Sequence, residues 1–461
     1  MDRPLADERA RMVRDRVRRL VRRGARGNLV RLLGKVRPED VPILLNGLTE
    51  SQQVFVFEVL LEGYPESAGE VISSMNPAER RLLLEALSPR QIAAALESLA
   101  VDDAAEIADL LADVDRDEVL RLMTASQKAD VQQHLEYEED TAGRIMNTEL
   151  FSLVESTTVG EAIAAIQESA DVEMIFYLYV VDDEEGLVGV TSLRQLLISP
   201  PVRRLSEMMT GSVIKVHTST DQEEVAELAA HYDLLAIPVV DEDERLLGIV
   251  TVDDIIDVFQ EEATEDLMKM AGTSGDELLY QERTWKVASI RLPWILANGV
   301  GLVVSGQLLR YFQVSLQEAL FLLAFVPVIM GVGGNIGSQT STIAVRGLAT
   351  GRLGRREGRV RPFLLQQLRV GLVLGVICAV VAGIGAYLFE SSLSYALVVG
   401  GALFLVIIVS SIIGAAAPIV FERMEIDPAV AASPLVTTTV DLTGILIYFG
   451  LAVFMIDWLV R

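Results

Sequence analysis

A lone carboxylate, Asp441, stands in the apolar run Leu435–Val436–Thr437–Thr438–Thr439–Val440–Asp441–Leu442–Thr443–Gly444. An ionised group in hydrocarbon is expensive, so it is kept there by a partner, a wet cavity or a passing ion. It therefore reads either as a satisfied interhelical hydrogen bond or as the ion-attracting centre of a cation path. A second stretch, from Pro327 to Thr342, sets Gly331, Gly333, Gly334 and Gly337 beside Asn335, Ser338, Gln339 and Thr340. Small residues at this density suit close helix packing. They equally suit a locally opened helix whose carbonyls and side chains line a wet path. Asp441 tips the reading toward the second. Asp427 sits in the short loop Glu425–Ile426–Asp427–Pro428, where an Asp before Pro is ordinarily a turn residue or helix cap.

These residues must be positioned by membrane helices. Five apolar stretches follow Trp285, near Leu292–Leu309, Ala319–Ala344, Leu364–Phe389, Tyr395–Val420 and Ala432–Leu459. Each approaches or exceeds the roughly 20 residues that cross a bilayer. The loop between the second and third carries Arg346, Arg352, Arg355, Arg356, Arg359 and Arg361, which places it in the cytoplasm. The N-terminal head is then cytoplasmic, and five crossings put the C-terminus outside the cell (inner) membrane.

Net charge divides at the same point. Of the chain's 39 basic and 65 acidic groups, the first 285 residues hold 27 and 57, a net of −30. A head this acidic argues against nucleic acid as a partner, since phosphate contacts need clustered Lys and Arg. The single cysteine, Cys378, excludes an intrachain disulfide. No signal peptide is read in the Arg-rich opening, so targeting is expected from the later spans. His134, His217 and His231 lie in the head without a nucleophile pattern, and each reads as a surface residue; no enzyme is expected.

Up to about Glu139 short amphipathic units such as Ala78–Leu87 and Gln91–Leu99 predict a stack of short helices, with the basic opening Arg3 to Arg37 as a solvated face or a membrane-binding one. A duplication follows. Tyr179–Val180–Val181–Asp182 then Leu187 to Leu193 recurs as Pro238–Val239–Val240–Asp241 then Leu246 to Val252. Each copy reads as strand, polar turn, strand and a helix capped by Ser192 or Thr251. This resembles a tandem pair of CBS domains, modules that commonly sense adenine nucleotides or ions. The acidic run Asp257 to Met268 reads as a helix directed toward the first span, and it puts Glu262, Glu265 and Asp266 on one face by i, i+3 and i, i+4 spacing.

Together these parts resemble the MgtE family of magnesium channels and transporters, with Gly333–Gly334–Asn335–Ile336–Gly337–Ser338–Gln339, Asp427–Pro428–Ala429 and Asp441–Leu442–Thr443–Gly444 matching its motifs in order. The resemblance implies a multidomain membrane protein. Its parts are an all-α helical N-domain superhelix over 1–139, an α/β CBS pair over 140–202 and 203–260, a long connecting (plug) helix over 261–285 and five transmembrane helices over 286–461. It implies a homodimer in the lipid bilayer with the pore between subunits. Asp441 would hold hydrated Mg2+ there, and Gly333, Gly334, Asn335, Ser433 and Thr437 would line the path. Regulatory Mg2+ is implied at Glu70, Asp102, Glu106, Gly143, Asp221, Glu223, Ala230, Glu262, Glu265, Asp266 and Asp427, closing the channel when internal Mg2+ is high. Tyr177 and Arg194 match weak positions for ATP, but Gln195 stands where a nucleotide-binding acid is expected. Ser433 likewise replaces an amide near the pore mouth.

Two other functions compete. A Na+- or H+-coupled divalent cation transporter needs further ionisable groups within the spans, and the sequence offers few. A membrane-anchored nucleotide sensor would leave Asp441 without a role.

Overall fold

Proline and polar caps cut the first part of the chain into short helices. Pro65, Pro77 and Pro89 open the helices Pro65–Ser73, Pro77–Ala86 and Pro89–Leu96, where a missing N–H is not needed. Asn76 Oδ1 accepts the Glu79 N–H at 3.0 Å, while Thr49 with Gln52 and Ser88 with Gln91 form capping boxes. The computed structural model describes residues 3–45, 47–168, 176–275, 277, 283–315, 317–350, 352–353, 359–424, 426–431 and 434–455. They divide into two units, Met1–Gln260 and Glu261–Arg461.

In the first unit one apolar core runs through the short helices from Val17 to Val131. The basic opening forms the helix Arg3–Arg22, whose Val17 is fully buried, so this helix belongs to the stack. His134 departs from its expected place at the surface. It is 1% exposed, and its Nε2 lies 2.8 Å from the Met146 carbonyl. The reason is local: the chain folds back at 134–147, and the imidazole satisfies a carbonyl that would otherwise be buried alone.

The duplication is visible in two three-stranded sheets. In the first, β1 (Ser152–Val154) pairs parallel to β2 (Tyr177–Val181), which pairs antiparallel to β3 (Leu187–Ser192). In the second, β4 (Val216–His217), β5 (Ala236–Val240) and β6 (Leu246–Thr251) repeat the order and pairings. The polar turns match atom for atom. Asp182 Oδ1 accepts the Glu184 and Gly186 N–H groups, and Asp241 Oδ1 those of Asp243 and Arg245, all at 2.8–2.9 Å. Glu185 and Glu244 take the left-handed conformation there, with φ of 66° and 67°. Tyr179, Leu187, Val240 and Ile249 join the two sheets in a shared core. Residues 141–147, which precede the first copy, pack instead into the second: Ala142 and Met146 enter its core, and the Gly143 N–H donates to Thr218 O. From Thr251 the helix Val252–Met270 begins.

Among its described residues the second unit holds five helices long and apolar enough to cross a membrane. Span 1 is Thr284–Ser315, span 2 Val326–Ala349 (preceded by the 3-10 helix Gln317–Phe325), span 3 Val360–Glu390, span 4 Leu393–Arg423 and span 5 Pro434–Phe454. Span 4 is central, packing on spans 2, 3 and 5, while span 1 packs mainly on span 5. The expectation of an opened helix at the glycines is corrected, because span 2 is one continuous helix through Gly331–Gly337. Its glycines admit neighbours instead. A Cβ at Gly333 would lie 2.8 Å from Val406 Cγ1, and one at Gly337 2.9 Å from Val440 Cγ2. At Gly414 of span 4 a Cβ would overlap the Gly337 carbonyl, so those two backbones touch.

Candidate cation site

Span 5 carries Asp441 on the side that faces span 2. The residue is 8% exposed and, among the described residues, makes no hydrogen bond or ion pair. Helical spacing sets what lies around it. Gly333 and Gly337 share the packed face of span 2, while Gly334, one position round, turns toward span 5. A Cβ on Gly334 would stand 3.7 Å from Asp441 Oδ1 and 3.4 Å from Thr437 Cγ2. Span 2 therefore presents a bare backbone to the carboxylate. Asn335 and Gln339, one helical turn apart on span 2, are exposed, and exposed Thr439 lies on the side of span 5 away from Asp441. Polar groups at membrane depth favour water or another protein over lipid. Thr438 Oγ1 donates to Asn298 Oδ1 of span 1 at 3.2 Å, tying span 1 to this centre. Asn298 was not singled out from the sequence, although an amide inside an apolar span is a readable signal. Ser433 lies outside the described residues.

Below the spans, Asp427 does two things. Its Oδ1 accepts the Ala429 N–H at 2.7 Å, capping the short helix Pro428–Ala431, as a loop Asp before Pro would. Its Oδ2 accepts from Lys269 Nζ at 2.6 Å, and the same ammonium meets Glu265 Oε1 at 2.6 Å. Burial alone would lower the Lys269 pKa, yet its hydrogen bonds to Asp427 and Glu265 outweigh that and raise it. Asp266 is pushed up to about 6, first by burial and then by the charge of Asp427. Glu262 is half-buried on the same helix. Lys269 was missed by the sequence reading, though it stands four residues after Glu265.

In the first unit a second acidic group assembles from distant segments. Asp102, Asp103 and Glu106 lie on the helix Val101–Asp109, and they meet Asp253, Asp254 and Asp257 from the opening turns of Val252–Met270. Asp102 Oδ1 is buried with no hydrogen-bond partner. Burial, then Asp254 and Asp103, push the Asp102 pKa up to about 8. Burial likewise lifts Asp254 to about 7, with Asp253 and Asp103 adding to it. Glu106 is committed to Arg80, whose Nη1 donates to it at 2.5 Å, and Ser73 Oγ donates to Asp103 at 2.8 Å. Asp253, Asp254 and Asp257 did not figure among the expected sensing residues.

The other expected positions lie apart from this group. Glu70 is exposed on Pro65–Ser73. Asp221 caps the helix Gln222–Tyr232, accepting the Glu223 N–H at 2.8 Å, and exposed Ala230 sits in that helix's last turn. Gly143 is near Asp221 through the Thr141–Asp221 bridge, and a Cβ there would press on Tyr137 and Thr218 O. Tyr177 begins β2, and exposed Arg194 follows β3. Among the described residues no group of three or more His, Cys, Asp or Glu side chains is gathered as a metal-holding set.

A family model described as "Divalent cation transporter" matches residues 326–451, one described as "MgtE intracellular N domain" matches 36–140, and a CBS domain model matches 142–199 and 205–261. The "Magnesium transporter MgtE" of Thermus thermophilus is 38% identical over 341 residues, 73% of this chain and 74% of that one. Its counterpart in Bacillus subtilis is 37% identical over 335 residues, 72% of this chain and 73% of that one. A solved structure described as the cytosolic domain of the Mg2+ channel MgtE in complex with ATP is 36% identical. It covers 52% of this chain and 98% of that chain, with a TM-score of 0.49.

Proposed function

The chain belongs to the MgtE family, and from that premise we propose that it carries Mg2+ into the cell down its electrochemical gradient and closes when cytosolic Mg2+ occupies its acidic head. The observation that carries the reading is Asp441: a buried, unpartnered carboxylate against the bare backbone of Gly334. A carboxylate in such a place attracts a dication without stripping it, since Mg2+ gives up water reluctantly and usually keeps several molecules. The exposed amides Asn335 and Gln339 on span 2 support a second copy of the chain against that face, with two Asp441 side chains flanking one hydrated ion. Influx needs no ATP: −100 mV contributes roughly 4.6 kcal/mol to a double charge crossing the membrane. The head is read as cytoplasmic and the C-terminus as external, in keeping with the Arg-rich loop after span 2.

Control is read from the carboxylates. Asp102 and Asp254 would hold a regulatory Mg2+ in the first unit, and Glu265, Asp266 and Asp427 in the second. At Asp102, Asp254 and Asp266 a buried oxygen without a partner and carboxyl groups pushed toward neutrality fit such an ion, because both mark negative charge lacking full compensation. Bound Mg2+ would favour the conformation in which these acids lie close.

The test is Mg2+ uptake into liposomes containing the purified full-length protein, driven by a K+ diffusion potential. Wild type is expected to conduct in response to voltage and the Mg2+ gradient alone, and Asp441→Ala to remain folded and lose uptake. Wild-type flux in Asp441→Ala would overturn the assignment; a strict requirement for a Na+ or H+ gradient would favour coupled transport.

A further inference from the structure

Among the described residues Lys269 is the cation bonded to the carboxylate group beneath the spans, with Arg346 contributing its charge near Asp266, and it is seated as an ion would be. Its Nζ lies 2.6 Å from both Glu265 Oε1 and Asp427 Oδ2, with Asp266 adjacent to Asp427. The site is built, not fortuitous. Asp427 is fixed by its bond to the Ala429 N–H, and Met270, next along the helix, packs on Val345 and Ala429. The ammonium therefore joins two segments separated by 158 residues. An ammonium and a hydrated dication cannot share the same carboxylate oxygens, because the two positive charges repel strongly at this separation.

We propose that Lys269 is a tethered counter-cation that occupies the Glu265–Asp427 carboxylates and must yield them before regulatory Mg2+ can bridge this group, so that its charge sets the Mg2+ concentration at which the transporter closes. The proposal rests on the gating reading above. Lysine suits the role: its charge is compact and its four-carbon stem lets the head swing out to water without moving the helix. While Lys269 holds both acids, it keeps the connecting helix in place at low Mg2+ and stops the carboxylates driving the segments apart.

The experiment uses the full-length protein in liposomes. Hydrogen exchange of the helix Val252–Met270 is followed against free Mg2+, alongside the Mg2+ concentration that halves uptake. Lys269→Met is expected to lower both midpoints by at least about tenfold, equivalent to 1.4 kcal/mol. Lys269→Arg, which keeps the charge, is expected to stay near wild type. Lys269→Gln provides a second neutral variant should the methionine disturb the fold. Unchanged or raised midpoints in the neutral variants would overturn the proposal and leave Lys269 as a structural tie. If the wild-type helix shows no response to Mg2+ at all, the gating reading itself fails and the proposal falls with it, a result distinct from a failure confined to the variants.

Discussion

Replacing Asp102 by Asn tests the proposed response of the head to cations. The carboxyl group is buried beside Asp254, its Oδ1 has no partner, and its pKa is pushed up to about 8. In the unfolded chain the same group titrates near 3.9. Because the folded value is the higher one, the folded state binds the proton more tightly, and its stability falls as pH rises between those two values. Below about pH 4 the group is protonated in both states and the penalty is absent; above about pH 8 it is complete. At roughly 1.4 kcal/mol per pKa unit, the penalty is on the order of 5 kcal/mol. Asn keeps the shape and removes the charge, while leaving a buried amide that costs about 1–3 kcal/mol. In Mg2+-free buffer at pH 8 the variant is therefore expected to hold its helix Val101–Asp109 more tightly than wild type, by a few kcal/mol. Hydrogen exchange of the full-length protein, corrected for the intrinsic pH dependence, reads this opening free energy directly. Wild-type protection should decline from pH 5 to 8 and be restored by Mg2+, by about 2.7 kcal/mol at a hundred times its dissociation constant. Asp102→Asn should show a flatter pH profile and a smaller Mg2+ gain. A wild-type profile that is flat over this range, or a variant with an unchanged slope and Mg2+ response, would refute the reasoning.

Two further outcomes are expected. Gly414→Ala drives a methyl into the Gly337 carbonyl, which no rotamer can relieve, and should destabilise the membrane unit by at least about 1–3 kcal/mol in thermal unfolding in detergent. Gly385→Ala, with open space around its Cβ, should be neutral or slightly stabilising and serves as the control. His134 is held below its ordinary pKa by burial, so it supports the fold while neutral and loses that support as pH drops through about 6.5, where the unfolded imidazole takes up its proton. Exchange at residues 134–147 should therefore speed up between pH 7 and 5, and His134→Gln should flatten that change.

Much of the architecture was legible because its signals are local. Alternating apolar residues around Asp182 and Asp241 announce hairpins, and the repeated spacing announces their duplication. Apolar length announces the spans, and Asp441 announces itself by being charged where charge is costly. What the sequence hid depends on long-range meetings. Asp102 and Asp254 lie in different helices of the first unit, and no pattern in either says that they face each other. Lys269 carried no signal of its own, because its partner Asp427 lies 158 residues further along the chain. His134 read as exposed because burial depended on how the chain reverses at Arg144 and Met146. The glycines of span 2 carried two meanings, and only the positions of Val406, Val440 and Gly414 separated them: Gly333 and Gly337 pack, while Gly334 borders the carboxylate.

The touch between Gly337 and Gly414 limits how this membrane unit can open and shut. With peptide groups rather than pliable side chains in contact, spans 2 and 4 have no cushion between them and will travel as a single plate. Any widening near Asp441 within the chain must then come from span 5 tilting against that plate. Span 1, leaning on span 5 through Asn298 and Thr438, is the lever best placed to start such a tilt.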